Sequence, residues 1–152
     1  GSEAKRKDRI YYQAMTDHDM YIELSLYTVQ RHDATFMHQH IVDAYAAQHP
    51  ERSSKPIKIA FALAGLYLAV EKGYTGKEVQ NAHMKMGAEK REWPVFDAPD
   101  YMGDITVADV LAAAPGDERD GMIRGWAASV WNAWSEPANR QKVMDLLSSY
   151  GI

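Results

Sequence analysis

The chain has 152 residues and a formal net charge of −4. This length is typical of a single domain, and the lack of a basic stripe argues against a nucleic-acid partner. The chain contains no cysteine, which excludes disulfides, thiolate catalysis and cysteine-based zinc or iron–sulfur sites. The longest apolar run, residues 59–70, is too short to span a bilayer. We therefore expect no membrane partner and a cytoplasmic location.

The pattern of apolar residues is helical almost throughout, and no segment alternates with the period of two that a strand would show. The sequence therefore predicts an all-α fold, a single-domain bundle of six or seven helices. We expect two parts. Residues 1–18 form a polar N-terminal segment that includes Gly1-Ser2 as a tag remnant, and residues 19–152 form the single helical domain.

The first two predicted helices are separated by His32-Asp33. Asp19 is the predicted N-cap of the first helix, and Asp33 that of the second. The second helix is expected to end at His49-Pro50, because a residue before proline is pushed out of the helical region. Helical spacing divides the apolar residues of the first helix between two sides, with Met20, Leu24 and Tyr27 on one and Ile22, Leu26 and Val29 on the other.

Residues 57–72 are apolar nearly all round, which predicts a helix at the centre of the bundle. Pro56 suits the first turn of this helix, and Gly73 suits its C-terminal cap. Thr75 is the predicted N-cap of the next helix, in which Val79, Ala82, His83 and Met86 recur at helical spacing.

The C-terminal half begins with residues 92–105, a predicted ordered loop that Trp93, Phe96 and Tyr101 are expected to pin to the body. Three further helices follow: a short one from Val107 to Ala113 capped by Thr106, a strongly amphipathic one opened by Asp117, and a last one after Pro137. Burial in the core is the favoured interpretation of Trp126, Trp131 and Trp134, ahead of an aromatic ligand wall or a dimer face.

The second helix is the most unusual segment, because it carries three of the six histidines among apolar residues. At about 100° per residue, His38, Tyr45 and His49 share one stripe, whereas His40 and Asp43 lie on the other side. His38 and His49 are about 16 Å apart along the axis and cannot share a metal within one straight helix.

His40 and Asp43 are the candidate catalytic pair, because a carboxylate one turn away could orient the imidazole as a general base. Proton transfer or hydrolysis would then be the reaction class. A third partner must come from elsewhere, and His32, Glu71 and His83 are the candidates. Any metal would be a divalent ion with mixed nitrogen and oxygen ligands. The predicted ligand-binding residues are His38, Tyr45, Gln48, His49, Glu71 and His83.

Structural explanations compete with these roles. A buried histidine beside an aspartate is often only a satisfied polar bridge, and His49 can cap the carbonyls that end its helix. Two functions therefore stay open. The first is a small-molecule or metal site, catalytic or purely binding. The second is a non-enzymatic interaction module in which the aromatic C-terminal helices form a homo-oligomer or partner face.

The segment His38-Gln39-His40-Ile41-Val42-Asp43-Ala44-Tyr45-Ala46-Ala47-Gln48-His49-Pro50 resembles an uncharacterised bacterial domain family. In that family a histidine is followed by Val-Asp-Ala-Tyr and then Gln-His. The stretch from Leu63 to Gly73, Trp93-Pro94 and the segment from Ile105 to Val110 are similar too, so the resemblance spans roughly residues 20–145. It implies a small, soluble helical domain in which His38, Asp43, Tyr45, Gln48 and His49 form one motif. It implies no reaction and no ligand.

Overall fold

Seven α-helices make up the part of the chain that the computed structural model describes, residues 15–52, 55–89 and 91–152. Within these ranges there is no strand, and the predicted all-α bundle is confirmed. The predicted tag remnant and most of the polar N-terminal segment lie outside the described residues. The helices are α1 (Asp17–Gln30), α2 (His38–Gln48), α3 (Pro56–Lys72), α4 (Gly76–Gly87), α5 (Val107–Ala112), α6 (Asp117–Trp134) and α7 (Pro137–Ser149).

Helix α3 lies at the centre, as its apolar sequence predicts, and packs against α2, α4, α6 and α7. Its middle turns carry small and aliphatic side chains that are almost fully buried, so four neighbours can approach it closely. The helix begins with Pro56 in its first turn and ends at Gly73, whose φ of 70° is the left-handed conformation that glycine adopts without strain.

The predicted N-caps of α1 and α2 are wrong. Helix α1 begins at Asp17, and Thr16 is its cap, because the Thr16 hydroxyl accepts a hydrogen bond of 3.1 Å from the Asp19 amide. Helix α2 begins at His38, and Asp33 instead closes the turn before it by accepting from the Met37 amide at 3.3 Å. Threonine and aspartate are both good caps, so composition alone cannot choose between neighbouring candidates.

The predicted caps Thr75 and Thr106 are confirmed. Thr75 forms a reciprocal capping box with Glu78, in which each side chain bonds to the other residue's backbone amide. At Thr106, the backbone amide and the hydroxyl both donate to the Asp109 carboxylate, at 2.9 Å and 3.2 Å. The starts of α6 at Asp117 and α7 at Pro137 also agree with the sequence.

The loop between α4 and α5 is pinned by Trp93 and Phe96, which pack against the core. Tyr101 does not pin it: 64% of this residue is exposed and its hydroxyl bonds to Asp104. Polar contacts also anchor the loop, and one of them is made by Asn139 of α7. The side chain of Asn139 is buried. Its Oδ1 accepts a hydrogen bond from the Asp97 backbone N–H at 3.0 Å, and its Nδ2 donates to the Asp97 backbone carbonyl at 2.8 Å.

The tryptophans of α6 are buried, which confirms their interpretation as core residues. Each indole N–H has a specific acceptor: Trp126 donates to the Gln48 side chain at 3.0 Å, Trp131 to the Glu71 carboxylate at 2.8 Å and Trp134 to the Ala47 carbonyl at 2.9 Å. Buried indoles with satisfied N–H groups stabilise the bundle, and they leave no aromatic face on α6 for a partner.

Helix α1 is the element with an uncovered apolar row. Ile22, Leu26 and Val29 are 47%, 57% and 52% exposed, while Met20 and Leu24 on the other side are buried. Of the two sides predicted from helical spacing, the side with Met20 and Leu24 packs in the core, and the side with Ile22, Leu26 and Val29 faces solvent. None of the described helices combines the length and the apolar character that crossing a bilayer would require.

Candidate functional site

A cavity of about 460 Å³ opens between α2, the C-terminal end of α3 and α6. Its walls are mainly apolar, and the half-buried His40 and the exposed Arg124 are the lining residues whose side chains carry nitrogen. A pocket of this size, apolar with a few polar groups, has the character of a small-molecule site. The lining residues are Thr35, Met37, His40, Ala69, Val70, Gly73, Tyr74, Thr75, Arg124, Ala127 and Ala128.

One wall of this His40 cavity is built by close contact between the α1–α2 connection and the start of α4. The Lys77 amide donates to the Thr35 carbonyl at 2.8 Å. A Cβ on Gly76 would lie 1.8 Å from the Phe36 carbonyl oxygen, so only glycine allows this approach. Phe36 has a φ of 54°, an unusual conformation for a bulky residue that the surrounding contacts hold.

His40 is the sequence-predicted site residue that lines the cavity. Burial lowers the pKa of its imidazole, the negative charge of Asp33 opposes this shift, and the positive charge of Arg124 adds to it. Within the described part of the chain, the ring makes no hydrogen bond. At neutral pH, His40 therefore presents a neutral imidazole, which has one donor and one acceptor nitrogen.

Asp43 does not orient His40. No hydrogen bond joins the two among the described residues, and Asp43 Oδ1 instead accepts from Gln39 Nε2 at 3.1 Å. The side chain is turned toward α3, where a Cβ on Gly65 would lie 2.0 Å from Asp43 Oδ2. Asp43 is only 3% exposed, and burial raises the pKa of its carboxyl well above the usual range, against the opposing effect of the Gln39 bond.

His38 and Tyr45 share a stripe of α2, but they contact different neighbours. His38 Nδ1 lies 2.9 Å from the Thr28 hydroxyl of α1, and burial lowers the pKa of its ring. The Tyr45 ring stacks on Tyr21 with ring centres 4.1 Å apart. Its hydroxyl is buried without a hydrogen-bond partner among the described residues, and burial raises its pKa.

Gln48 and His49 end α2 with contacts that join elements. Gln48 Nε2 donates to the carbonyls of Met102 at 3.2 Å and Ile105 at 2.8 Å, so it holds the α4–α5 loop. His49 Nδ1 lies 3.0 Å from the Tyr45 carbonyl, and His49 Nε2 lies 3.2 Å from the Asp17 carboxylate. Both ring nitrogens of His49 are therefore engaged at the helix end.

Glu71 and His83 lie apart from the His40 cavity. The Glu71 carboxylate accepts from Arg140 Nη2 at 2.7 Å as well as from Trp131, and Arg140 holds the pKa of Glu71 below its usual range. His83 Nε2 donates to the Phe61 carbonyl at 2.8 Å, and burial lowers the pKa of this ring. The remaining candidate, His32, is exposed and has a positive φ of 52°.

The predicted ligand set therefore does not converge on one point. Across the ranges that the structure describes, no three histidine, aspartate or glutamate side chains come together in a group that could hold a metal ion.

Comparison with known protein families identifies one family whose model matches most of the chain. Residues 17–135 match DUF5946, a family of unknown function. The chain belongs to this family. The match to DUF5946 runs from the first residue of α1 to just beyond the end of α6, so it contains all the residues that line the His40 cavity. No curated protein and no solved structure matches the chain significantly.

Sequence reasoning missed Arg124, the cationic residue that lines the His40 cavity. A signal was present. Arg124 stands three and four residues before Ala127 and Ala128, so the three share one face of α6, where two small side chains leave space beside a cation. The large apolar residues of α6 lie mainly on its buried face, and their pattern predicts packing in the core rather than a site beside Arg124.

Proposed function

We propose that the protein binds a small organic molecule in the His40 cavity, with His40 as a hydrogen-bonding contact. The observation that carries this proposal is the combination of a cavity of about 460 Å³ with a partly buried imidazole that has no hydrogen-bond partner in the described chain. The ring nitrogens of His40 are not among the buried unpaired side-chain atoms, so they are open to the cavity, where a ligand can replace water as their hydrogen-bond partner.

The proposed role of His40 is binding, with acid–base chemistry as an extension. Burial lowers the pKa of His40 below its ordinary value of 6.5, so the ring is mainly unprotonated at neutral pH and its free nitrogen can accept a proton, as a weaker base than an exposed histidine. Asp43 would not assist in such a step, because its own buried carboxyl bonds to Gln39. A reaction here would depend on the substrate and on His40 together.

Filling the cavity tests the proposal. Ala128 lines the cavity, so we expect Ala128→Trp to abolish binding of fragment-sized molecules, detected by ligand-observed NMR with a mixed fragment set. Val70→Trp is a second blocking variant at a lining residue that is 37% exposed and tolerates a larger side chain more easily. Ala138→Trp, on the exposed start of α7, is the matched control and should bind as the wild type does. Fragments that bind wild type and both blocked variants equally would refute the proposed site.

The alternative function, a self-associating interaction module, has support at a different surface from the one the sequence indicated. The tryptophans of α6 are buried, but Ile22, Leu26 and Val29 form an exposed apolar row on α1. A two-fold axis would place this row against the same row of a second copy. Three side chains cover far less than the roughly 1,200–2,000 Å² of a standard stable interface, so the association would be weak.

A further inference from the structure

We propose that the His40 cavity selects small organic carboxylates, with Arg124 binding the carboxylate and His40 providing a second hydrogen bond. This inference rests on the proposed small-molecule function and names its class of ligand.

The charge of the cavity wall supports an anion. Of the described residues that line the cavity, Arg124 is the permanently charged one, and no carboxylate stands among them. Arg124 also makes no ion pair with any other described residue. A guanidinium offers a planar pair of donors that matches a carboxylate with two parallel hydrogen bonds. The exposed guanidinium of Arg124 is therefore available at the edge of the cavity as a pair of donors that no described carboxylate occupies.

The rest of the wall favours a ligand with a hydrocarbon body. Ala69 and Val70 from α3 face Ala127 and Ala128 from α6 across a space of about 460 Å³, within the size range of small-molecule sites. A single arginine neutralises a single negative charge. An inorganic phosphate dianion would keep excess charge beside apolar walls and would leave those walls unused.

His40 gives the cavity a pH response. Asp33 from the α1–α2 connection and Arg124 from α6 are the charged groups that act on its ring, whereas α3 and the start of α4 contribute uncharged residues. A bound carboxylate adds a negative charge beside the imidazole and favours its protonated form. Carboxylate binding should therefore raise the pKa of His40. By linkage, binding should tighten as the pH falls through the His40 pKa, until the ligand itself becomes protonated.

Three probes of one shape test the preference for charge: benzoate, benzyl alcohol and benzylammonium, titrated at pH 7 by calorimetry or NMR, with inorganic phosphate as a fourth arm. We expect benzoate to bind most tightly. Arg124→Gln should weaken the affinity for benzoate by about tenfold or more, because it removes a charge-assisted hydrogen bond. The affinity for benzyl alcohol should stay nearly the same, because the substitution removes no apolar surface. Lys58→Gln makes the same change in net charge at an exposed site near the other end of α3 and should have no effect.

The histidine response has its own readout. Benzoate should raise the pKa of His40 in an NMR pH titration. It should not change the pKa of His83, whose ring is hydrogen-bonded to the Phe61 carbonyl away from the cavity. Equal affinities for benzoate and benzyl alcohol, unaffected by Arg124→Gln, would overturn carboxylate selection and leave cavity binding intact. Tighter binding of inorganic phosphate through Arg124 would overturn the carboxylate class. Failure of every aromatic probe and of the fragment set would overturn the proposed function as well.

Discussion

At the scale of single residues, the position of a side chain on its helix decides its chemistry. His40 and Asp43 are one turn apart on α2, yet one reaches a cavity and the other is enclosed against α3. The carboxyl of Asp43 has one hydrogen bond, from Gln39, and its other oxygen has no partner among the described residues. A carboxyl in such surroundings is stabilised in its protonated form.

The raised pKa of Asp43 predicts a pH-dependent stability of a definite sign. The folded state holds the proton more tightly than the unfolded state, whose aspartate pKa is about 3.9. The contribution of Asp43 to the free energy of unfolding should therefore fall as the pH rises above about 3.9 toward the folded-state pKa of this carboxyl. Asp43→Asn keeps the acceptor for Gln39 but cannot ionise, so it should remove this contribution, and its stability relative to the wild type should rise from pH 4 to pH 8.

Urea denaturation from pH 4 to pH 8 measures this effect. Asp100→Asn, in the exposed part of the α4–α5 loop, is the matched control and should keep the wild-type pH dependence. An Asp43→Asn curve parallel to that of the wild type would show that Asp43 is ionised in the fold, contrary to the prediction.

At the scale of elements, the crossing of α2 and α3 depends on a complementary pair, Asp43 and Gly65. A Cβ at Gly65 would meet both the Asp43 carboxyl and, at 3.1 Å, the Val79 side chain. The glycine interrupts the most apolar helix of the chain because the carboxyl occupies the space of its missing side chain. Helical spacing alone could not reveal this, since the pairing joins two helices.

A double-mutant cycle tests the pairing. Gly65→Ala should destabilise the protein by about 1–3 kcal/mol through overpacking. In Asp43→Ala/Gly65→Ala the added methyl group enters space that the carboxyl has left, so the double variant should be more stable than the sum of the single changes by about 0.5–3 kcal/mol. Chemical denaturation gives the four free energies.

The control for this cycle is Gly121→Ala in α6, where a Cβ would meet no atom within 4 Å. That change should stabilise the protein by roughly 0.5–1 kcal/mol, the usual gain of alanine over glycine within a helix. Strict additivity of the Asp43 and Gly65 changes would contradict the proposed complementarity.

At the scale of the whole molecule, polar side chains that join elements hold the α4–α5 loop and the helices together. Gln48 connects α2 to the loop through Ile105 and to α6 through Trp126, and Asn139 connects α7 to Asp97. The motif on α2 is thus partly explained: its glutamine and its last histidine have structural partners. The sequence correctly marked the segment as unusual, but it could not separate residues that join elements from a residue that faces a cavity.

The exposed row on α1 gives a prediction for the molecule as an assembly. If the interaction function holds, the mass from sedimentation equilibrium should rise with concentration, and Leu26→Glu should hold the protein in its monomeric state. Lys58→Gln, which also lowers the net charge but lies on α3, is the control and should associate as the wild type does. A constant monomer mass for the wild type up to millimolar concentration would exclude this surface as a dimer interface.

The sequence by itself determined the all-α class, the central position of α3 and most helix ends, because helical periodicity, proline and glycine act within a few residues of chain. It also identified His40 as a candidate for chemistry. The tertiary structure decided which candidates share a site. It placed Arg124 of α6 beside His40, turned Asp43 toward Gly65 and engaged the other candidate histidines of α2. These outcomes depend on how distant helices pack, and the spacing along a single helix carries no information about the neighbour it meets.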